Sequence, residues 1–453
     1  MTEFDTLAVH AGEEPDPSTG ALRIPLHMAT AFKLPPFGGR LFDALQLSSP
    51  AAPHAYTRWS NPTIRALEAR LAALEGIEAA LVTATGMAAI SALVFALLSS
   101  GDHLVASEMC YAGASELFGL HLHRFGIDVS LVDTSDPDAV RQAIRPNTKL
   151  LYVETPANPI LRIADIAALS RLAHERSIPL AVDSTWAGPA IQRPATGGAD
   201  YVIHSLTKYL NGHGDALGGA ICGRSDALHR IRRDALVHLG GAASPFNAWL
   251  IQRGLTTLPL RMAQHSATAL QVASFLEGHP KVRRVVYPGL PSHPHHALAA
   301  RQMSAGGGMI AFELKGGLGA AINLAERVRI WTYATSLGHA HSLLFYYPTD
   351  LYVDAAPWLS VQQKASIREW TGEGIVRRAP VWTFRMWATN RSPSRSFQIT
   401  SPSWPGSHWS MQPCCQPQAL LAPSSIHRSL SSVSTMPTRS SSAAVGVRIS
   451  KST

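Results

Sequence analysis

The sequence contains few cysteines and no hydrophobic run long enough to span a membrane. A helical span needs about 20 apolar residues, and no stretch approaches that length. Residues 1–17 are acidic and lack the basic and apolar segments of a secretory signal. We therefore expect a cytoplasmic protein without a membrane partner. The four cysteines form neither a CxxC pair nor a metal-ligand spacing, so no disulfide framework is expected: Cys110, Cys222, Cys414 and Cys415.

Acidic residues are missing from the end of the chain. None of the 31 acidic residues follows Glu373, whereas nine of the 39 basic residues do, which leaves 30 basic against 31 acidic side chains before that point. The net charge of +8 thus comes from the residues after Glu373, which are also rich in serine and proline. Such a composition indicates disorder rather than a basic binding face, so we expect no nucleic-acid partner. DNA binding through this tail is an alternative, and a tail-deleted protein with unchanged DNA affinity would exclude it.

The remaining sequence alternates between strand-like and helix-like segments. Residues 63–75 carry apolar side chains at helical spacing, and short apolar runs alternate with amphipathic segments from about residue 79 to residue 204. This alternation predicts βαβ units and an α/β fold with a mostly parallel central sheet covered by helices on both faces. From about residue 246 a long helical stretch precedes short strands such as GGMIAFEL, which predicts a smaller α/β domain. The predicted organisation is an N-terminal segment (1–60), a large domain (61–245), a smaller domain (246–378) and a disordered tail (379–453).

The stretch HSLTKYLNGHGD places a lysine just past a buried strand. Lys208 follows the apolar run ADYVI and lies beside Ser205 and Thr207, whose hydroxyl groups suit an anion. Alone, this pattern belongs more often to an ordinary solvated lysine. In a parallel sheet, however, ligands bind where the strands end. The residues at the other strand ends therefore bear on the interpretation of Lys208.

These ends carry further groups that a phosphate-bearing aromatic cofactor needs. Asp183 ends the apolar run IPLAV, where it is either a helix or turn cap or a charge partner for a pyridine nitrogen. Gly86 and Met87 begin a predicted helix, whose first N–H groups bind phosphate. Tyr111 either stacks on a ring or simply packs with its hydroxyl in solvent. Each signal is weak alone, but together they predict pyridoxal 5′-phosphate (PLP).

The sequence also resembles the fold-type I, PLP-dependent enzymes of cysteine and methionine metabolism. This family includes cystathionine γ-synthase, cystathionine γ- and β-lyases, methionine γ-lyase and O-acetylhomoserine sulfhydrylase. The resemblance extends from about Thr6 to about Arg377. It is carried by these motifs: YTRWSNPT (56–63), TGMAAI (85–90), ETPANP (154–159), VDSTWAGP (182–189), HSLTKYLNGHGDALGG (204–219) and SLGHAHSL (336–343).

The resemblance implies a role for each matching residue. Lys208 would bond PLP covalently and act in catalysis with Tyr111, whose ring would stack on the cofactor and exchange protons. Asp183 would hold the ring nitrogen, and Asn158 would lie near the phenolic oxygen. The implied phosphate ligands are Gly86, Met87, Ser205 and Thr207, joined by Tyr56 and Arg58 of a neighbouring subunit. Ser336 and Arg377 would hold the substrate carboxylate. No metal is implied.

The implied reaction is β- or γ-elimination, or γ-replacement, on sulfur-containing or O-acylated amino acids. The implied assembly is a homodimer or homotetramer whose active sites are shared between subunits. The sequence leaves lyase and synthase open, because the fold does not decide between them. An alternative is a catalytically impaired paralogue that binds PLP without turnover, because its C-terminal segment differs from the family.

Three departures from the family pattern and one histidine-rich run bear on these expectations. His341 stands where many members have a glutamate, which puts a preference for cystathionine in doubt. Gly113 stands where methionine γ-lyases have a cysteine, which weakens the assignment to that subtype. The HPHH run (293–296) could bind metal, but a polar loop is the favoured interpretation. After Arg377 the acidic final helix of the family is missing, and we hypothesise a frameshift near residues 378–381, which an intact frame on resequencing would refute.

Overall fold

The computed structural model describes residues 4–34, 53–349, 353–354 and 356–371, together with the backbone of 374–379. Within these residues the chain forms two β-sheets. No helix among the described residues is both long and apolar enough to cross a membrane. The predicted tail lies outside the described residues, and of the hypothesised frameshift region (378–381) only the backbone of residues 378 and 379 is described.

The first sheet has seven strands within the described part of the chain, in the order β1-β7-β6-β5-β4-β2-β3. Strand β7 runs antiparallel to both of its neighbours, and every other pair is parallel. This arrangement confirms the predicted α/β fold with a mostly parallel sheet. The strands are β1 Ala79–Thr83, β2 His103–Ser107, β3 Asp128–Val132, β4 Thr148–Glu154, β5 Leu180–Asp183, β6 Tyr201–His204 and β7 Gly219–Gly223.

Helices cover both faces of this sheet. Successive side chains of a strand point to opposite faces, and on β4 Leu151 and Val153 join one buried cluster while Leu150 and Tyr152 join another. Both clusters contain helical residues, so neither face is left to solvent. The helices of this region are α1 Phe4–His10, α2 Pro62–Glu75, α3 Gly86–Leu97, α4 Ala112–Glu116, α5 Pro137–Ala143, α6 Ile166–His174, α7 Ser225–Ile231 and α8 Val237–Leu239.

Helix α2 confirms the helix predicted from apolar spacing at residues 63–75. Its N-terminus is capped by Asn61, whose side chain accepts the Thr63 N–H, and proline occupies the first helical position. The helix ends at Gly76, which has the left-handed conformation that glycine tolerates. The four residues that defined the period are all buried: Ile64, Leu67, Leu71 and Leu74.

The second sheet has five strands among the described residues, in the order β10-β11-β12-β9-β8. Only the β10–β11 pair is parallel. The strands are β8 Val282–Val286, β9 Ile310–Leu314, β10 Thr332–Tyr333, β11 Leu343–Pro348 and β12 Gly374–Ala379. The α-helices that follow residue 244 in the described part of the chain are α9 Pro245–Leu255, α10 Leu258–Glu277, α11 His296–Gln302, α12 Gly317–Arg327 and α13 Val361–Thr371. The domain boundaries at residues 60, 245 and 378 remain predictions.

The long helical stretch predicted after residue 245 is in fact two helices. Helix α9 ends at Leu255 and α10 starts at Leu258, with Thr256 and Thr257 between them. Pro259 lies in the first turn of α10, where its missing N–H costs no helical hydrogen bond. Apolar spacing continues across this break, so periodicity alone did not reveal it.

Candidate active site

Lys208 lies on the turn that follows β6. Its Nζ donates a hydrogen bond to Ser336 Oγ at 3.1 Å. Ser336 belongs to the loop between β10 and β11, so the two residues are 128 positions apart in the sequence and meet only in the fold. The structure thus brings together two predicted site residues, one found from the strand end and one only from the family resemblance.

A buried arginine holds the turn that carries Lys208. Arg261, on α10, is 2% exposed. Its guanidinium donates to the carbonyl oxygens of Tyr209 at 2.6 Å and Leu210 at 3.4 Å, and to that of Gly254 at 2.7 Å. Burial lowers the pKa of Arg261 to about 10. Sequence analysis missed this residue, because nothing in a helical RMAQHS segment indicates that its arginine points inward.

Asp183, the last residue of β5, is buried among hydrogen-bond donors. Its Oδ1 accepts the Thr185 hydroxyl at 2.6 Å and the Thr185 N–H at 3.0 Å, and its Oδ2 accepts the Tyr152 hydroxyl at 3.1 Å. Burial raises the pKa of Asp183, while the hydrogen bonds from Thr185 and Tyr152 act in the opposite direction. A buried carboxylate of this kind favours a cationic partner such as a protonated pyridine nitrogen.

The start of α3 and the turn after β6 form a small cradle for an anion. Thr85 caps the third amide of the helix by accepting the Ala88 N–H at 3.0 Å, so the amides of Gly86 and Met87 precede the helical hydrogen-bond pattern. A side chain on Gly86 would place a Cβ 3.0 Å from Ser205 Cβ and 3.2 Å from Ser205 Oγ. The hydroxyl therefore lies directly beside the helix start, where phosphate binds well.

Two hydroxyl groups connect this cradle to its surroundings. Thr185 Oγ1 accepts the Ser205 N–H at 2.9 Å and donates its own hydrogen to Asp183, so one side chain helps to position both Ser205 and Asp183. Thr207 Oγ1 donates to the Gly218 carbonyl at 3.2 Å and accepts the Gly218 N–H at 3.1 Å. The Thr207 hydroxyl must therefore rotate before it can donate to a phosphate.

Glu154 fixes two predicted site residues through their backbones. One carboxylate oxygen accepts the Tyr111 N–H at 2.7 Å, and the other accepts the Asn158 N–H at 2.8 Å. The Tyr111 ring remains 47% exposed at the same edge of the sheet, so it is free to meet a planar ligand. A Cβ on Gly113 would approach Tyr111 Cε1 to 2.8 Å, so glycine makes room for this ring.

The remaining predicted residues make other contacts or are only partly described. Tyr56 is 41% exposed, and the Arg58 guanidinium lies 5.6 Å from its ring centre. Arg58 also donates to the Val237 carbonyl at 3.4 Å. Arg377 is paired with Phe345 across β11 and β12, but its side chain lies outside the described residues.

The histidines of the HPHH run make backbone contacts. His293 bonds to the Leu161 carbonyl at 3.1 Å through Nε2, and its Nδ1 accepts the His295 N–H. His295 Nδ1 accepts the Ile163 N–H at 3.2 Å, and His296 Nδ1 bonds to the Pro288 carbonyl at 2.9 Å. These contacts give each ring a structural role in the loop.

The residues at this sheet edge fit PLP. The helix-start amides and Ser205 suit its phosphate, the buried carboxylate of Asp183 suits its ring nitrogen, the Tyr111 ring suits its flat face, and the Lys208 amine suits its aldehyde. The fold and this set of groups define a fold-type I PLP-dependent enzyme.

The chain belongs to the family of Cys/Met metabolism PLP-dependent enzymes, whose model matches residues 5–359. It is 45% identical over 342 residues to canavanine γ-lyase of Pseudomonas canavaninivorans, covering 75% of this chain and 84% of that protein. It is 43% identical over 339 residues to cystathionine γ-synthase of Mycobacterium bovis, covering 75% of this chain and 85% of that protein.

A solved structure resembles the chain in the same way. Cystathionine γ-lyase of Lactobacillus plantarum, complexed with L-serine, superposes with a TM-score of 0.76 at 34% identity, covering 84% of this chain and 95% of that one. The chain is therefore a PLP-dependent enzyme of the cystathionine γ-synthase and γ-lyase type, for which the family implies a small amino-acid substrate. These relatives do not favour the alternative of an impaired paralogue.

Replacing Tyr152 by phenylalanine is expected to weaken PLP binding about 10-fold. The hydroxyl is fully buried and donates to Asp183, and a hydrogen bond to a charged group contributes about 1.5–3 kcal/mol. Titration of the apoprotein with PLP, followed by visible absorption, measures this affinity. Tyr201→Phe, at a buried tyrosine on β6, is the matched control. Equal losses in the two variants would show that the Tyr152 hydroxyl acts only through general packing.

Proposed function

We propose that this enzyme catalyses γ-elimination on an amino acid that carries a leaving group at Cγ, with Lys208 as its catalytic base. The observation that carries the proposal is the position of the Lys208 amine, which contacts Ser336 at the strand edge that also holds Asp183. Two relatives named as γ-lyases support elimination over replacement. Replacement by an incoming thiol is the second candidate, favoured by the similarity to cystathionine γ-synthase.

The protein side chains have distinct tasks in this reaction. When bound, PLP supplies an electron sink for the carbanion at Cα. Lys208 holds the cofactor and then removes the proton at Cα, and elimination of a group from Cγ also requires removal of a proton at Cβ, for which the same amine is the base. Asp183 keeps a proton on the ring nitrogen, and Thr185 and Tyr152 hold the Asp183 carboxylate in place. Tyr111 stacks on the ring and exchanges protons with the reacting groups.

Substrate and phosphate contacts complete the proposal. Gly86, Met87, Ser205 and Thr207 bind the phosphate, and Asn158 lies near the phenolic oxygen. Ser336 and Arg377 hold the substrate carboxylate, since an arginine fork binds a carboxylate through two hydrogen bonds.

A second subunit contributes to each active site in this proposal. The exposed Tyr56 ring and the neighbouring Arg58 guanidinium reach the phosphate of the partner chain. The assembly is then a homodimer or homotetramer in the cytoplasm. Sedimentation of the PLP-loaded protein, together with hybrids of inactive Tyr56 and Lys208 variants, tests this sharing. Recovery of activity on mixing two inactive variants is the expected result.

The function is tested first by spectroscopy and then by turnover. The PLP-loaded protein is expected to absorb visible light, and borohydride should fix the cofactor to the peptide that contains Lys208. A panel of cystathionine, methionine, canavanine and O-succinylhomoserine then follows, with substrate loss and 2-oxo acid release measured by mass spectrometry. Consumption with 2-oxo acid release supports elimination, whereas product formation that requires an added thiol supports replacement. Cofactor attachment without consumption of any substrate would overturn the proposed γ-elimination.

A further inference from the structure

The loop that carries Ser336 packs backbone to backbone against the turn of Lys208. Gly338 has a φ of +78°, and a Cβ there would lie 2.4 Å from the Tyr209 nitrogen and 2.6 Å from the Lys208 carbonyl carbon. The Ala340 N–H donates to the Gly212 carbonyl at 3.0 Å. The loop therefore cannot move away from Lys208 without losing direct contacts.

Ser336 lies between two basic side chains. Its Oγ accepts a hydrogen bond from Lys208 Nζ at 3.1 Å and is 3.1 Å from His339 Nε2. Ser336 also has a φ of +108°, a conformation that is strained for a residue other than glycine. Its neighbours hold this strained backbone so that the hydroxyl faces both Lys208 and His339.

The surroundings of His339 favour the neutral form of its imidazole. Burial is the main cause that lowers the pKa of His339 from its ordinary value, with further contributions from the positive charges of Lys208 and His341. Asp215 acts in the opposite direction. A neutral imidazole with its proton on Nδ1 has an acceptor at Nε2, which a serine hydroxyl can use while accepting from a lysine.

We propose that Ser336 and His339 form a proton relay for Lys208, which deepens the proposed function and rests on the role assigned there to Lys208. An Nζ–H bond of the ammonium breaks as Ser336 Oγ gains that proton, and the Ser336 O–H bond breaks as His339 Nε2 gains the other. One proton moves in total, leaving a neutral amine and an imidazolium, with no change in oxidation state. The return step reverses both transfers.

The relay predicts a rate effect in the apoprotein, before any turnover. PLP reacts only with a neutral Lys208 amine, so the association rate reports removal of the lysine proton. His339→Gln keeps hydrogen-bonding groups but cannot accept a proton at neutral pH, and it is expected to slow association about 10-fold, with an unchanged equilibrium affinity. Ser336→Ala should slow it similarly. The double variant should be no slower than either single one, because one chain is broken in all three.

The pH dependence provides a second readout. Protonation of the Lys208 amine makes the association rate decline steadily towards acid pH in every variant, and the wild-type rate should show an additional drop on the acid side of the ordinary histidine pKa of about 6.5, because an imidazolium cannot accept the proton. His339→Gln should lose this additional drop and keep only the steady decline. His341→Gln is the matched control, since its side chain is exposed in the same loop. It should keep the rate near neutral pH and the additional acid-side drop, which moves only slightly to higher pH because one positive charge near His339 is removed.

The outcomes separate the relay from the proposed function. If borohydride fixes no cofactor at Lys208 in the wild-type protein, the proposed function fails. If the wild-type protein captures PLP at Lys208 but His339→Gln associates at the same rate, the relay alone is refuted. Additive slowing in the double variant, or equal slowing in His341→Gln, would also refute it by assigning the effect to loop structure.

Discussion

Replacing Lys208 by alanine is expected to abolish the covalent attachment of PLP and to lower turnover by at least ~10²–10⁴-fold, the usual contribution of a general acid–base group. The amine is the group that contacts Ser336 at the edge of the sheet, and alanine leaves nothing in its place that can bond or carry a proton. Borohydride reduction followed by peptide mass spectrometry measures attachment, and release of 2-oxo acid measures turnover.

Two comparisons make the Lys208 result specific. Lys149→Ala removes an exposed lysine of the same sheet and should retain both attachment and turnover. The Lys208 variant should still bind PLP without a covalent bond, because the helix start and Ser205 remain. If borohydride still fixed PLP to a lysine of the Lys208→Ala protein, a residue other than Lys208 would be the one that bonds the cofactor.

The position of the site was predictable because it depends on strand ends. Parallel strands bring their carboxyl ends to one edge of a sheet, so the sequence positions of Asp183 and Lys208 already indicated a shared location. The same holds for Gly86, which starts a helix directly after a strand. These features are local patterns of apolar runs followed by polar residues, and such patterns can be recognised in a single sequence.

The groups that support the site were not predictable in the same way. Tyr152 reads as an ordinary strand residue, and it meets Asp183 only because β4 pairs with β5 in a register that places Glu154 opposite Asp183. Thr185 reads as a turn residue, although its hydroxyl joins Asp183 to Ser205. Register and side-chain direction are properties of the assembled sheet, so these contacts need the structure.

Contacts across long sequence separations were also hidden. The motif SLGHAHSL identified Ser336 by resemblance, but its hydrogen bonds to Lys208 and His339 depend on how the second sheet packs against the turn after β6. Arg261 is similar, since two of its carbonyl acceptors lie on the turn after β6 and the third lies near the end of helix α9. Sequence patterns identify individual groups, whereas the fold decides which of them act on each other.

Replacing Asp183 by asparagine is expected to have opposite effects on the apoprotein and on the enzyme. Burial raises the pKa of Asp183, so the carboxylate is less favourable in the folded than in the unfolded chain. This cost is present at a pH above the folded pKa and disappears below the unfolded value of about 3.9. Asparagine removes the cost, because its oxygen still accepts from Thr185 and its amide can donate to the Tyr152 oxygen.

The apoprotein of Asp183→Asn should therefore melt a few degrees higher than the wild type near pH 7.5, and the difference should shrink towards acid pH. In the PLP-loaded enzyme the neutral amide no longer holds a proton on the ring nitrogen, so turnover should fall by about 10²-fold or more, as when one preorganised electrostatic contact is lost. Thermal melts at two pH values and turnover assays measure the two effects. Asp128→Asn, at an exposed position on β3, is the control and should change neither. Retained turnover in Asp183→Asn would mean that the ring nitrogen needs no charged partner here, and the buried carboxylate would then be a structural group of the strand end.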